Sequence, residues 1–281
     1  MTEVKQALQI AIMTLKELDS ARMDAEVLLS FVLKKNRTFL YAHPDYSLTD
    51  EQWQSYQLLL QQRQLGHPVA YLIGNREFWS LNLSVNTATL IPRPETELLV
   101  ELALKLLSEK QAAQLADLGT GSGAIALALA SERPQWQITA VDKSADALQV
   151  AQKNAKDLNL PNICFQLSDW FSAFEDQHQF DAIIANPPYI ADNDSHLQQG
   201  DVRFEPLQAL ISGNNGLQAL GEIISHAMLY LKPDGLLLLE HGYDQKSAVR
   251  SMLNDYGYDH IESWQDWQGN DRVSGGKRGI S

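Results

Sequence analysis

From residue 114 onward the chain alternates short apolar runs with amphipathic stretches, and this alternation limits its fold more than any other feature. Residues 115–118, 138–142, 163–167, 180–185 and 236–240 read as short buried strands, and residues 124–131, 144–158 and 216–231 as helices between them. Strands separated by helices must be joined by crossovers, so the pattern predicts an α/β fold with a mostly parallel, doubly wound sheet. Ligands in such sheets bind beyond the carboxyl ends of the strands. The residues that follow each strand are therefore the first place to look for chemistry.

Upstream the period is different. Val4, Leu8, Ala11, Ile12, Leu15 and Leu18 recur at helical spacing, and residues 24–33 read as a second helix. Thr49 and Gln52 form a capping box for a helix that runs to about Leu65, with Gly66 placed at its end. Pro68 opens a short turn of helix before Gly74. Leu81, Leu83 and Val85 then alternate with Asn82 and Ser84, which predicts one strand of a hairpin. Pro94 begins another helix, with acids in its first turn. The expected organisation is a helical, substrate-recognising domain over 1–75, a β-hairpin linker over 76–91 and a catalytic domain over 92–281.

The net charge of −13 is unevenly placed. Residues 1–85 hold eight Lys and Arg against nine Asp and Glu, which leaves fourteen against twenty-six for the rest. Nucleic-acid binding draws most of its affinity from phosphate neutralisation, so this balance argues against a direct nucleic-acid partner. No run of 18 apolar residues suggests a membrane span, and the polar N-terminus is unlike a secretory signal. With one cysteine, Cys164, no intrachain disulfide is possible, and the expected location is cytoplasmic. The seven histidines show no ligand spacing, so no metal site is expected.

The first strand runs into Asp117-Leu118-Gly119-Thr120-Gly121-Ser122-Gly123. Glycines at a strand-to-helix turn let a ligand approach the backbone and the helix N-terminus. By itself this is a weak signal, because it also fits a dinucleotide fingerprint or a plain tight turn. Asp117 separates the readings. A carboxylate there suits the ammonium of a methionine moiety and repels a pyrophosphate, which points to S-adenosylmethionine. Asp142 ends the second strand, where it could accept from both ribose hydroxyls or cap the following helix. Asp169 and Trp170 follow the third strand. Trp170 could stack on adenine or belong to the core, and Asp169 could accept from the adenine amine.

The fourth strand ends in Asn186-Pro187-Pro188-Tyr189, the most informative tetrapeptide in the chain. Consecutive prolines hold the backbone rigid and leave carbonyls without local donors. The Asn186 side-chain oxygen and the Pro187 carbonyl could then accept both N–H bonds of an amide or aromatic amine. Such a nitrogen is a poor nucleophile because its lone pair is delocalised. Acceptors that hold its hydrogens out of conjugation, and meet the positive charge that develops, favour attack on a methyl group. Tyr189 would wall a planar acceptor.

These motifs in this order, D-L-G-T-G-S-G, A-V-D-K-S, S-D-W-F and N-P-P-Y-I, resemble the HemK/PrmC family of protein-(glutamine-N5) methyltransferases. The resemblance extends to G-N-R-E-F-W at 74–79, I-P-R-P-E-T-E at 91–97, V-R-F-E-P at 202–206, E-H-G at 240–242 and the D-A-E-V-L-L helix. It implies a Rossmann-like seven-stranded methyltransferase sheet behind a small all-α N-terminal domain. Cofactor contacts are implied at Gly119, Thr120, Gly121, Ser122, Gly123, Asp142, Trp170 and Asn186, and substrate contacts at Asn186, Pro187, Pro188 and Tyr189. The implied substrates are class-1 peptide-chain release factors, methylated on the glutamine of their Gly-Gly-Gln loop, with S-adenosylhomocysteine as by-product. The competing expectation is an adenine-N6 methyltransferase acting on DNA or RNA, since the N-P-P-Y chemistry is shared.

Three further stretches stay open at this level. Residues 93–97 could line a substrate entrance or only start a helix, and residues 203–206 read as a lid over the acceptor. His241 reads as structural rather than as a base. The last residues, D-R-V-S-G-G-K-R-G-I-S, loosely resemble the family's D-R-V ending, and residues 275–281 have no assigned role.

Overall fold

A computed structural model describes residues 2–175, 179–213 and 215–280. The chain divides into two compact units: residues 1–75 with 196–204, and residues 76–195 with 205–281.

The first unit is helical: α1 (Val4–Thr14), α2 (Ala21–Leu33), α3 (Arg37–Ala42), α4 (Asp50–Gln64) and α5 (Val69–Ile73). Of the positions read from the sequence, Val4, Ala11 and Leu15 are buried, together with Ala7, in a cluster with Leu28, Leu29, Tyr56 and Leu60, while Leu8, Ile12 and Leu18 pack against it partly buried. The capping box is present in full: Thr49 accepts from the Gln52 amide, and the Gln52 side chain accepts from that of Thr49. Gly66 follows α4 at φ 97°, a left-handed conformation that glycine adopts without strain. Arg63 on α4 is buried and paired with Asp24 (2.7 Å) and Asp201 (2.7 Å), and it also donates to the His67 carbonyl (3.1 Å).

The second unit opens with a hairpin, β1 (Asn75–Phe78) and β2 (Leu81–Ser84), then a 3₁₀ turn (Pro94–Thr96) leading into α6 (Glu97–Leu106). There follow β3 (Gln114–Leu118), α7 (Ala124–Glu132), β4 (Gln137–Asp142), α8 (Ala145–Asp157), β5 (Ile163–Leu167), β6 (Phe180–Ala185), α9 (Gln218–Tyr230), β7 (Leu231–Glu240), α10 (Lys246–Asp255), β8 (Tyr258–Gln265) and β9 (Asp271–Arg278). Seven of these strands form one sheet in the order β5-β4-β3-β6-β7-β9-β8, parallel except for β9.

Period two explains how both faces are covered. Ala182 and Ile184 of β6 face α6 and α7, whereas Ile183 and Ala185 face α9 and α10. Strand β7 divides in the same way, with Leu236 and Leu238 on one side and Leu237 and Leu239 on the other. Continuous apolar runs are what a doubly covered parallel strand requires. The buried Asp181 on β6 is held by the Gln114 amide (2.8 Å), Lys110 (2.7 Å) and Lys232 (2.7 Å). Burial pushes its carboxyl up, but these donors outweigh burial and leave it below the usual range.

The structure departs from the sequence reading at the chain's end. Strand β7 begins at Leu231, five residues earlier than expected, with a register shift opposite Phe180 and Ala182. The unplaced D-R-V-S-G-G-K-R segment is β9, an inner strand between β7 and β8.

Candidate active site

The sheet reverses its winding between β3 and β6, and the ends of β3, β4, β5 and β6 open into one cleft there. Gly119 and Gly121 line it from the first loop, Asp142 from the second, Asp169 and Trp170 from the third, and Asn186 and Pro188 from the fourth. These residues are widely separated in sequence, and the crossover topology brings them together.

The glycine loop needs its glycines. Gly119, Gly121 and Gly123 have φ values of 71°, 57° and 88°. A Cβ on Gly121 would meet open space, whereas one on Gly123 would lie 2.9 Å from Leu127 Cδ1. The Asp142 carboxylate ties the loop to β4 by accepting from the Gly121 amide (2.9 Å) and the Ser144 amide (2.8 Å). Ser144 itself caps α8 through the Ala147 amide. The cap anticipated for Asp142 therefore belongs to Ser144, and Asp142 braces the loop beside the cleft.

Asp117 is buried behind the loop and does not line the cleft. One of its oxygens accepts from the Thr120 hydroxyl (2.6 Å) and the Ala126 amide (3.2 Å). The other, Oδ1, is buried with no hydrogen-bond partner among the described residues. Burial raises its pKa to about 7, with Thr120 and the Ala126 amide opposing and the charge on Asp142 adding to the rise. An unpartnered buried acceptor beneath a loop of positive-φ glycines suits a cationic group, so these residues fit an adenosylmethionine-type ligand. Thr120, Ser122 and Gly123 shape the loop from behind: Thr120 bonds Asp117, and the Ser122 carbonyl accepts from Asn154 (2.9 Å).

Trp170 sits at φ 47°, a strained conformation for a bulky side chain. The buried Ser168 holds it there, donating to the Trp170 carbonyl (2.8 Å) while accepting from the Ala173 amide (3.0 Å). The ring's Cζ3 lies 3.4 Å from where a Cβ on Gly119 would stand, so the indole borders the glycine loop.

Within the tetrapeptide, Pro187 is buried, while Asn186, Pro188 and Tyr189 are partly exposed. No hydrogen bond among the described residues uses the Pro187 carbonyl. Asn186 Nδ2 donates to Thr96 Oγ1 (3.1 Å), and the Tyr189 hydroxyl donates to Glu240 Oε1 (3.2 Å). Tyr189 does not line the cleft. Burial pushes its phenol up, and the neighbouring Glu240 adds to this. Burial likewise raises Glu240 to about 7, against the Thr96 hydroxyl, Arg272 and Tyr189, which favour its charge.

Several contributors were not legible in the sequence. Thr89 and Leu90, after the hairpin, line the cleft, as do Lys143 and Gln208. The stretch read as a lid is split. Arg203 donates to the Leu65 carbonyl (2.9 Å) and Phe204 packs at a tilt on His67, both within the helical unit. Glu205 is buried in the catalytic unit, where it accepts from the Ile91 amide (3.0 Å) and pairs with Arg93. Pro206 alone of the four reaches the cleft. His241 is fully buried between the Gly242 carbonyl and Ser274 Oγ (2.8 Å each), and burial lowers its pKa. It is a structural histidine. Among the described residues no group of His, Cys, Asp and Glu could hold a metal, and no helix is long and apolar enough to cross a membrane.

Comparison with known proteins agrees with this geometry. The PrmC N-terminal domain family matches residues 6–74, and the Methyltransferase small domain family matches residues 95–204. A release factor glutamine methyltransferase from Shewanella oneidensis is 52% identical, covering 92% of this chain and 90% of its own length. The chain belongs to the release factor glutamine methyltransferase family. Its Escherichia coli relative of the same description is 50% identical over 98% of this chain and 99% of its own. Among solved structures, the hMettl16 catalytic domain in complex with MAT2A 3′UTR hairpin 1 superposes with a TM-score of 0.60 at 15% identity, covering 90% of this chain and 91% of that one. A T. thermophilus 16S rRNA methyltransferase in complex with AdoMet and guanosine gives 0.51 at 19%, covering 73% and 49%. At such identities these two establish the α/β methyltransferase fold and nothing finer.

Proposed function

We propose that this protein transfers the methyl group of S-adenosylmethionine to the side-chain amide nitrogen of the glutamine in the Gly-Gly-Gln loop of class-1 release factors. The observation that supports the reading is the placement of the Asn186–Tyr189 turn at the end of β6, whose Asn186 and Pro188 share one cleft with Gly119, Gly121 and Asp142. Membership of a family whose relatives are named for this activity supports it.

The bound cofactor supplies an electrophilic methyl on a sulfonium. Asp142 is the acceptor suited to its ribose, Trp170, with Asp169 beside it, suits its adenine, and Asp117 lies buried behind the glycine loop with Oδ1 unpartnered among the described residues, as suits a cation. Gly119, Gly121 and the loop behind them give close approach. Asn186 Oδ1 and the Pro187 carbonyl accept the two amide N–H bonds of the substrate glutamine and leave its nitrogen lone pair directed at the methyl group. Alignment and preorganised acceptors lower the barrier, and the surplus proton leaves after transfer. Tyr189, whose hydroxyl is turned to Glu240, supports the turn that carries these acceptors. The near-neutral residues 1–75 serve as the docking surface for the protein substrate.

The test is transfer of labelled methyl to an unmodified release factor, its loop Gln→Ala variant and a DNA/RNA mixture. Label on the unmodified factor alone is expected. Label on nucleic acid with none on the factor would keep the chemistry and overturn the substrate. The acidic charge and the family relatives weigh against that nucleic-acid reading.

A further inference from the structure

We infer that Tyr243 and Trp267 form a docking surface for the stretch of the protein substrate beside its reactive glutamine. The inference rests on the proposed transfer to a glutamine in a protein loop and goes further by naming what the flank of that loop rests on.

Strand register puts three loops at one end of the sheet. Ala185 of β6 pairs with Leu239 of β7, and Glu240 of β7 with Val273 of β9. The Asn186–Tyr189 turn, residues 241–245 and the β8–β9 turn at 266–270 therefore share that end. Hydrogen bonds join them in series. Gln245 donates to the Tyr189 carbonyl (3.0 Å) and accepts from the Gly242 amide (2.9 Å). Arg272 donates to the His241 carbonyl (3.4 Å) and to the buried Asp266 carboxylate (3.4 Å).

Asp266 in turn shapes the β8–β9 turn, accepting from the amides of Gln268 (2.9 Å) and Asn270 (3.0 Å). What this firmly built turn presents is Trp267, 92% exposed, and the 241–245 loop presents Tyr243, 68% exposed. A buried aromatic removes about 150–250 Å² from water, and this fold makes almost no use of the indole. Single exposed apolar side chains are ordinary. Two aromatics on loops bonded to a reactive turn have the composition of a binding surface, where Trp and Tyr dominate the energetics.

Topology selects the occupant. The sheet residues that line the cleft follow β3, β4, β5 and β6, and among the described residues none follows β7, β8 or β9. A chain whose glutamine enters at the end of β6 has its free path over the ends of β7 and β9. Neighbouring strands lie about 4.8 Å apart, so the β8–β9 turn stands roughly 10–15 Å from β6, a span of about three or four extended residues. Two glycines beside the glutamine bring no side chains. Affinity must come from the residues beyond them, and these fall at the distance of Trp267.

The experiment measures methyl transfer over a range of release-factor concentrations by the full-length enzyme. It compares wild type, Trp267→Ala, Tyr243→Ala and Trp267→Phe, with Leu229→Ala as control. Leu229 is also exposed (64%) but ends α9 just before β7 begins, at the opposite end of the sheet. Each aromatic-to-alanine change should raise KM for the release factor by about tenfold, the scale of a lost aromatic anchor. Their kcat, and their cofactor affinity by calorimetry, should stay within about twofold of wild type, the split expected when only substrate binding is lost. Trp267→Phe should recover most of the affinity, and Leu229→Ala should match wild type. Wild-type KM in either aromatic-to-alanine variant, a loss confined to kcat or cofactor affinity, or an equal rise in Leu229→Ala would overturn the inference alone. A wild-type enzyme that modifies no glutamine would overturn the functional reading and this inference with it.

Discussion

Gly121 and Gly123 are two residues apart in one loop, both left-handed, yet alanine at each should fail for different reasons. Either substitution places a Cβ in the αL region, at roughly 1–2 kcal/mol. For Gly121→Ala that is the whole structural effect, because a Cβ there has nothing within 4 Å. For Gly123→Ala the new methyl stands 2.9 Å from Leu127 Cδ1 and 3.2 Å from Ala151 Cβ. Both neighbours are fully buried, on α7 and α8. Overpacking of this kind adds about 1–3 kcal/mol, so Gly123→Ala should lose roughly 2–5 kcal/mol in all. Equilibrium urea unfolding gives the difference between the variants from their midpoints at unchanged slope. Calorimetric titration with S-adenosylmethionine should show the reverse order of concern: Gly121→Ala stays folded but binds weakly, because its methyl occupies the cleft. A Gly123→Ala variant as stable as Gly121→Ala would refute the reasoning, since it would mean that the α7–α8 contact yields freely.

Three other outcomes follow from the same structure. Arg63→Met should destabilise the helical unit by about 3–5 kcal/mol, because it leaves Asp24 buried without its cation; a loss under about 1 kcal/mol in urea unfolding would contradict the pairing's importance. Asp117 has a folded pKa of about 7, above its unfolded value, so the folded state holds the extra proton and stability falls as pH rises from about 4 to about 7. Asp117→Asn should therefore show a shallower decline in unfolding midpoint over that window, and an unchanged slope would place the titration elsewhere. Trp170→Ala should weaken cofactor affinity by about tenfold or more, the scale of one lost aromatic stack, and an unaltered dissociation constant would remove Trp170 from the site.

Much of the catalytic unit was legible because its signals are local. A parallel strand covered on both faces is a short apolar run, and the residue after it is placed by topology, which is why Gly119, Asp142, Trp170 and Asn186 could be named from sequence. The end of the sheet lacks such a signal. In β9 the buried positions are Val273, Ser274, Gly275 and Gly276, with only one large apolar residue among them. A Cβ on Gly275 would stand 2.4 Å from the Leu237 carbonyl, and one on Gly276 would stand 2.9 Å from Tyr258 Cβ. The strand is small because β7 and β8 approach it closely from either side, so its burial leaves no hydrophobic pattern. Roles that depend on long-range pairing were equally silent. Nothing in P-R-P-E-T-E shows that Arg93 meets Glu205 or that Thr96 meets Asn186. The bond from the Tyr189 hydroxyl to Glu240 was likewise invisible, since the alternation that exposes a strand residue says nothing of a turn that follows it.

The central claim is that Asn186 and its turn direct a methyl group onto a glutamine amide nitrogen. The most direct test is mass spectrometry of a release factor after incubation with S-adenosylmethionine and either the wild-type enzyme or Asn186→Ala, with fragmentation of the loop peptide. The account predicts a single methyl on the side chain of the loop glutamine with wild type and almost none with Asn186→Ala, although both bind the protein substrate. A methyl located on any other residue, or a variant that modifies the glutamine at the wild-type rate, would contradict it.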